Sequence, residues 1–232
     1  MRIDVLTLFP ELFPGTLGES IIGRASERNL LELGTVDIRN FALDARGTVD
    51  DKPYGGGPGL LMMAEPVVSA IESVKKENSL VILTTPRGRV FNQSLAKELA
   101  NYEHLVIITG HYEGVDERAI ELAVDMEISL GDFVLTSGVL PAMIITDAVA
   151  RLLPGVLGDD ASSVDESHSG NLLEYPQYTR PTEFRGLRVP EVLLSGDHGK
   201  IAKFRQKQRE SLTRERRPDM WENFMSQTEK EV

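Results

Sequence analysis

The sequence predicts an α/β fold, a parallel sheet flanked by helices with a small helical domain at the C-terminal end, and three observations carry that reading. Short apolar runs alternate with helical patterns through the first two thirds of the chain, the signature of βα units around a parallel sheet. Near residue 154 this alternation gives way to a stretch crowded with Gly, Asp and Ser that has no periodicity, and helical patterns resume near Gly199. A chain of 232 residues has room for one large domain, or a medium one with a smaller partner.

The elements follow in order. Apolar runs at 3–9, 35–39, 80–84, 105–109 and 127–130 read as strands. Between them, 17–31, 65–76, 93–100, 116–124 and 140–153 place apolar residues three to four apart, enough for one buried helical face each. Asn92, immediately before Gln93, is a helix start signal. The domain reading that results is 1–155 for the α/β body, 156–172 for a mobile linker and 173–232 for a small helical domain. That last piece is too short to bury much core alone.

Composition narrows the function. The chain has no Cys, which removes disulfides, a thiolate nucleophile and cysteine-bound zinc, and its His residues show no metal-ligand spacing, so no metal site is expected. No uncharged apolar run approaches the roughly 20 residues of a membrane span, and Asp4 interrupts the hydrophobicity a secretory signal needs. Both point to a cytoplasmic protein without a membrane partner. A net charge of -11 argues against a protein that coats nucleic acid. The charge is uneven, however: residues 200–217 carry eight basic residues against two acidic ones, whereas residues 1–199 carry 16 against 30. An acidic body thus bears one basic patch, suited to holding a polyanion locally.

Glycine marks the loops that could carry chemistry. Pro53-Tyr54-Gly55-Gly56-Gly57-Pro58-Gly59 combines backbone freedom with two stiffening prolines and fits a turn that faces a ligand or a partner. No GxGxxG or GxxxxGK[ST] cradle occurs, so nicotinamide, P-loop and common Rossmann methyltransferase readings lose their fingerprint. Three further loops, 84–88, 110–114 and 129–138, each follow a strand. In a parallel sheet such loops converge on one crevice at the carboxyl edge. Backbone groups opened by glycine, with a few hydroxyls and apolar side chains, suit a ligand bearing an adenine ring.

The runs TVDDKPYGGGPGLLM, GHYEGVDER, SLGDFVLTSG, LPAM, RLLPGVLG, EYPQYTRP and VPEVLLSG closely resemble the bacterial tRNA (guanine-N1)-methyltransferase family of the SPOUT class, almost end to end. The resemblance implies a SPOUT-type trefoil knot in residues of roughly 80 to 155, against the general rule that chains do not thread loops. It implies S-adenosylmethionine as methyl donor, the tRNA guanine just 3′ of the anticodon as target, and a homodimer with a composite active site. The donor pocket it implies is lined by Thr84, Thr85, Pro86, Gly110, Tyr112, Glu113, Gly114, Leu130, Gly131, Asp132, Phe133, Val134, Leu135, Ser137 and Gly138.

Methylating guanine N1 requires a base for its proton and stabilisation of charge growing on O6. The family's base is an aspartate in the linker; here the register places Glu166 there, with Asp165 immediately before it. Arg151 matches the arginine that would face the developing charge. Further departures are Ser137-Gly138-Val139 in place of Gly-Gly-Glu, Phe133 in place of a frequent tyrosine, and His111 in place of a frequent arginine. Lys203, Arg205, Lys207, Arg209 and Arg214 are the expected RNA contacts. An inactive tRNA-binding homologue, or a SPOUT methyltransferase for another RNA site, are the alternatives.

Overall fold

The computed structural model describes residues 1–157, 166–168 and 171–228. The chain divides into two compact units, Met1–Asp159 and Asp160–Val232. Each is described by itself.

The first unit contains β1 (Arg2–Thr7), α1 (Leu12–Leu17), α2 (Ser20–Glu27), β2 (Glu32–Asp37), a 3₁₀ turn (Ile38–Phe41), β3 (Asp50–Asp51), β4 (Leu61–Met62), α3 (Ala64–Val74), β5 (Ser79–Val90), α4 (Gln93–Leu99), β6 (His104–Thr109), α5 (Glu117–Ala123), β7 (Met126–Ser129) and α6 (Val139–Ala150). Five of the strands form a sheet in the order β2-β1-β6-β5-β7, every pair parallel. The sheet is covered on both faces, which is why its central strands read as continuous apolar runs. Ile3, Val5, Ile82, Leu105 and Ile107 point to one side and pack with Phe13, Leu17, Leu95, Leu99 and Ile145 from α1, α4 and α6. Leu6, Val81, Leu83, Val106 and Ile108 point to the other and pack with Val67, Ile71 and Ala119 from α3 and α5. The alternation along each strand is the period-2 rule made visible.

The sequence predicts one helix over 17–31, and the structure splits that region. α1 ends at Leu17 with Gly18 as its C-cap, and α2 begins at Ser20, whose φ is +57°. A Cβ on Gly23 would lie 2.2 Å from the Gly18 carbonyl oxygen, so the two glycines let the turns approach closely. β5 also outruns its prediction. It bulges between Thr84 and Arg89 and rejoins β7 through Arg89 and Val90, so Thr85–Gly88 leaves the ladder without ending the strand.

The amino ends of the central strands carry a buried polar network. Asp4, 1% exposed, accepts from Arg2 Nε at 2.6 Å and lies 2.9 Å from His104 Nε2. His104 Nδ1 is 2.7 Å from Ser79 Oγ, which accepts from the Lys76 amide. β1, β6 and β5 are tied together there.

The second unit holds a ribbon of β8 (Glu183–Phe184) and β9 (Leu187–Arg188), then α7 (Glu191–Leu194), α8 (His198–Arg216) and α9 (Pro218–Thr228). Asp197 caps α8 by accepting from the Lys200 amide, and Pro218 opens α9, where its missing N–H costs nothing. Among the described residues no helix is long and apolar enough to cross a membrane.

Candidate active site

The carboxyl ends of β5, β6 and β7 meet at a cavity of about 440 Å³, within the usual range for small-molecule sites. Three hydrogen bonds stitch its loops together. Thr84 Oγ1 donates toward the carbonyls of Ile108 and Gly138, at 3.1 and 3.3 Å, and the Gly138 amide donates to the Gly110 carbonyl at 2.7 Å. The structure brings every residue of the expected donor set to this lining except Gly131 and Asp132. Those two sit on the turn behind it, where Gly131 exchanges hydrogen bonds with Ser129 Oγ and lies under the Phe133 ring.

Backbone geometry explains the glycines. Gly131 has φ +152° and Gly114 φ +134°, conformations that disfavour a side chain, and Tyr112 takes φ +56° despite carrying one. The 110–114 loop is fixed from outside by the glycine-rich segment: the Glu113 amide donates to Leu60 O, the Met62 amide to Gly114 O, and Met62 bridges Val115. β3 and β4 close the base of that segment as an antiparallel ribbon.

The lining also includes residues the sequence did not single out for this role, among them Leu61, Arg87, Glu117, Thr136 and Pro141. Arg87 donates to Glu127 and Glu117, both at 2.8 Å, and these carboxylates raise its already high pKa. It is a fixed cation at the cavity rim. A register bulge after Thr84 is what delivers it, and a turn-like Thr-Pro-Arg-Gly string does not announce a bulge. His111 also lines the cavity; its ring stands edge-on to Phe9 and Tyr112, and its buried Nδ1 has no hydrogen-bond partner among the described residues.

This is a slot with apolar walls, backbone donors and acceptors, and the Glu113 and Glu117 carboxylates. It can grip a planar heterocycle and hydroxyl groups. Among the described residues no group of acidic or imidazole side chains could hold a metal ion. A larger cavity, about 710 Å³, lies between α1, α2 and the β2 edge. It opens away from the carboxyl ends where parallel sheets place their chemistry.

Arg151 caps the far end of α6, its amide donating to Asp147 O, and is not in the cavity lining. Glu166 is half-buried in the second unit; Asp165 lies outside the described residues. The expected RNA contacts separate into two faces of α8. Lys203, Lys207 and Arg214, together with Lys200, recur three, four and seven apart and are exposed on one stripe. Arg205 and Arg209 lie on the opposite stripe and are engaged within the unit: Arg205 covers the Tyr175 ring at 4.6 Å, and Arg209 Nε donates toward Leu173 O at 3.4 Å. Thr213 completes that side by accepting the Leu173 amide.

Comparison with known proteins agrees with this architecture. The family model described as tRNA (Guanine-1)-methyltransferase TrmD matches residues 1–223. A tRNA (guanine-N(1)-)-methyltransferase of Carboxydothermus hydrogenoformans is 55% identical over 220 residues, covering 95% of this chain and 87% of that protein. Proteins of the same name from Geobacter sp. and Ruminiclostridium cellulolyticum are 56% and 52% identical over 222 and 224 residues, each covering 95% of this chain and, respectively, 89% and 96% of the relative. With a family match over nearly its whole length and relatives above half identity, the chain belongs to the tRNA (guanine-1)-methyltransferase family of enzymes.

Proposed function

We propose that this chain transfers a methyl group from S-adenosylmethionine to N1 of the guanine just 3′ of the anticodon in tRNA. The observation that carries the proposal is the convergence of the 84–86, 110–114 and 130–138 loops on one cavity. S-adenosylmethionine supplies an electrophilic methyl group when bound, and its adenine, ribose and amino-acid parts match apolar walls, carboxylates and amides respectively. The residues named above for the donor set would hold it.

The chain's own residues then have two tasks. Glu166, or Asp165 beside it, takes the N1 proton as the ring nitrogen becomes the nucleophile. Arg151 stabilises charge gathering on O6. Within one chain α6 separates Arg151 from the cavity: its 12 residues rise about 18 Å from Gly138. We therefore place Arg151 in the site of a second copy, as a homodimer with composite sites requires. Val134, Leu140 and Ile144 support that assembly, being 81%, 57% and 49% exposed on and just before an α6 whose one charged residue is Asp147. The same reading divides the chain at 1–155, 156–172 and 173–232, threads residues of about 80 to 155 as a trefoil knot, and assigns α8 to tRNA.

Incubating the protein with methyl-labelled donor and unmodified tRNA, then analysing the nucleosides, tests the reaction. Label at guanine N1 is expected; RNA binding without label would favour an inactive homologue, and label elsewhere another RNA site. Mixing an Arg151→Ala homodimer with a Gly138→Ala homodimer tests the composite site. Random exchange should restore about a quarter of wild-type activity from two inactive parents.

A further inference from the structure

Tyr54 is 99% exposed, more than any other large hydrophobic side chain among the described residues. It stands on the glycine-rich loop, followed by Gly55, Gly56 and Gly57 with φ of 86°, 77° and 125° and nothing within 4 Å of the place a Cβ would occupy. Local crowding does not demand these glycines. They leave a bare strip of backbone beside an aromatic ring, on a loop stiffened by Pro53 and Pro58.

The loop base is fixed while its tip is open. Gly59 packs so closely on Glu113 that a Cβ there would lie 2.4 Å from its Cγ. Glu113 in turn lines the cavity and donates its amide to Leu60 O. The loop that carries Tyr54 is therefore anchored at its base on the cavity wall by the contacts that hold Glu113, while the ring itself stands in solvent.

We propose that Tyr54 stacks on the nucleobase flanking the target guanine, with the Gly55–Gly57 backbone lying along the adjoining sugar. This rests on the RNA-methylating reading of the cavity beside it. A guanine taken out of its stack leaves a neighbouring base with one exposed face, which a solvent-facing aromatic ring on the adjoining loop would cover. A ring kept fully in water has no packing role to explain it within the first unit, and stacking is indifferent to base identity because every base presents a π-face.

The test uses full-length Tyr54→Ala, Tyr54→Phe and Tyr54→Trp proteins, donor affinity by calorimetry, kcat and KM for tRNA, and direct binding of tRNA carrying 2-aminopurine beside the target guanine. We expect Tyr54→Ala to weaken tRNA binding and raise its KM about tenfold or more, with donor affinity and melting temperature unchanged. Phe and Trp should retain wild-type values, and fluorescence quenching on binding should vanish only with Ala. Unchanged tRNA binding by Tyr54→Ala, or a Phe variant as impaired as Ala, would overturn the proposal. If wild-type protein fails to methylate N1, the functional reading fails while the binding and quenching measurements still decide the role of Tyr54.

Discussion

The Gly138 amide donates to the Gly110 carbonyl at 2.7 Å, and a Cβ added to Gly138 would lie 2.1 Å from Thr84 Oγ1 and 2.7 Å from the Gly110 nitrogen. Three loops that are far apart along the chain thus meet at a point with no room for a methyl group. Gly138→Ala should force them apart. We expect donor affinity to fall at least about tenfold and stability to drop by about 1–3 kcal/mol, read by calorimetry and thermal melting.

Asp4 makes the opposite prediction about location. It ties Arg2 and His104 at the amino ends of the strands, away from the cavity. Asp4→Ala strands a buried imidazole and a half-buried guanidinium, and should cost about 3 kcal/mol in denaturant unfolding. Donor affinity, measured where the protein remains folded, should be unchanged.

On α8 the two basic stripes should behave differently. Lys203→Ala and Lys207→Ala each remove an exposed cation and should reduce the slope of log Kd for tRNA against log salt by about one. Arg205→Ala, which loses its place over Tyr175, should chiefly lower the thermal stability of the second unit. Titrations of tRNA binding at several salt concentrations separate the two outcomes.

Acid sensitivity can be assigned at one cap. Asp116 accepts the Arg118 amide at the start of α5 and two guanidinium bonds from the same residue, which hold its carboxyl below the usual value of 3.8. Its folded value is depressed, so its stabilisation is present at neutral pH and is lost as pH falls through that lowered value. Asp116→Asn keeps a capping side chain. The variant should be less stable by under about 1 kcal/mol at pH 7, because Arg118 is 69% exposed. Chemical denaturation as a function of pH should show that deficit holding down to pH 4 and shrinking below pH 3.8.

Much of this was legible in the residues because burial leaves a mark. The central strands β1, β5 and β6 showed as apolar runs, since both faces of the sheet are covered; the edge strand β2, ELGTVD and partly exposed, did not, and the run predicted at 35–39 overlaps only its end before passing into the 3₁₀ turn. The glycines at 110, 114, 131 and 138 showed where loops must turn after strands. Strand order left no comparable mark, because β1 pairing with β6 across about a hundred residues depends on the whole packing arrangement. The two-residue β3 and β4 are too short for any period, and it takes the bridge from Met62 to Val115 and the hydrogen bonds of Leu60 and Met62 to the 110–114 loop to show that the Pro-Gly loop braces the cavity. The absence of Gly131 and Asp132 from the lining was equally hidden, since it depends on the local path of the turn, where the Phe133 ring lies against Gly131.

The bulge in β5 couples two properties that a simple strand end would keep apart. Thr84 and Arg89 both register with Ile128 of β7, so the intervening hairpin-like excursion is clamped at both feet by the outermost strand. Any drift of that border strand would be transmitted at once to the rim cation at Arg87. Mutational tolerance along Met126–Ser129 should accordingly follow catalytic demands, and not the looser rules of an ordinary sheet margin.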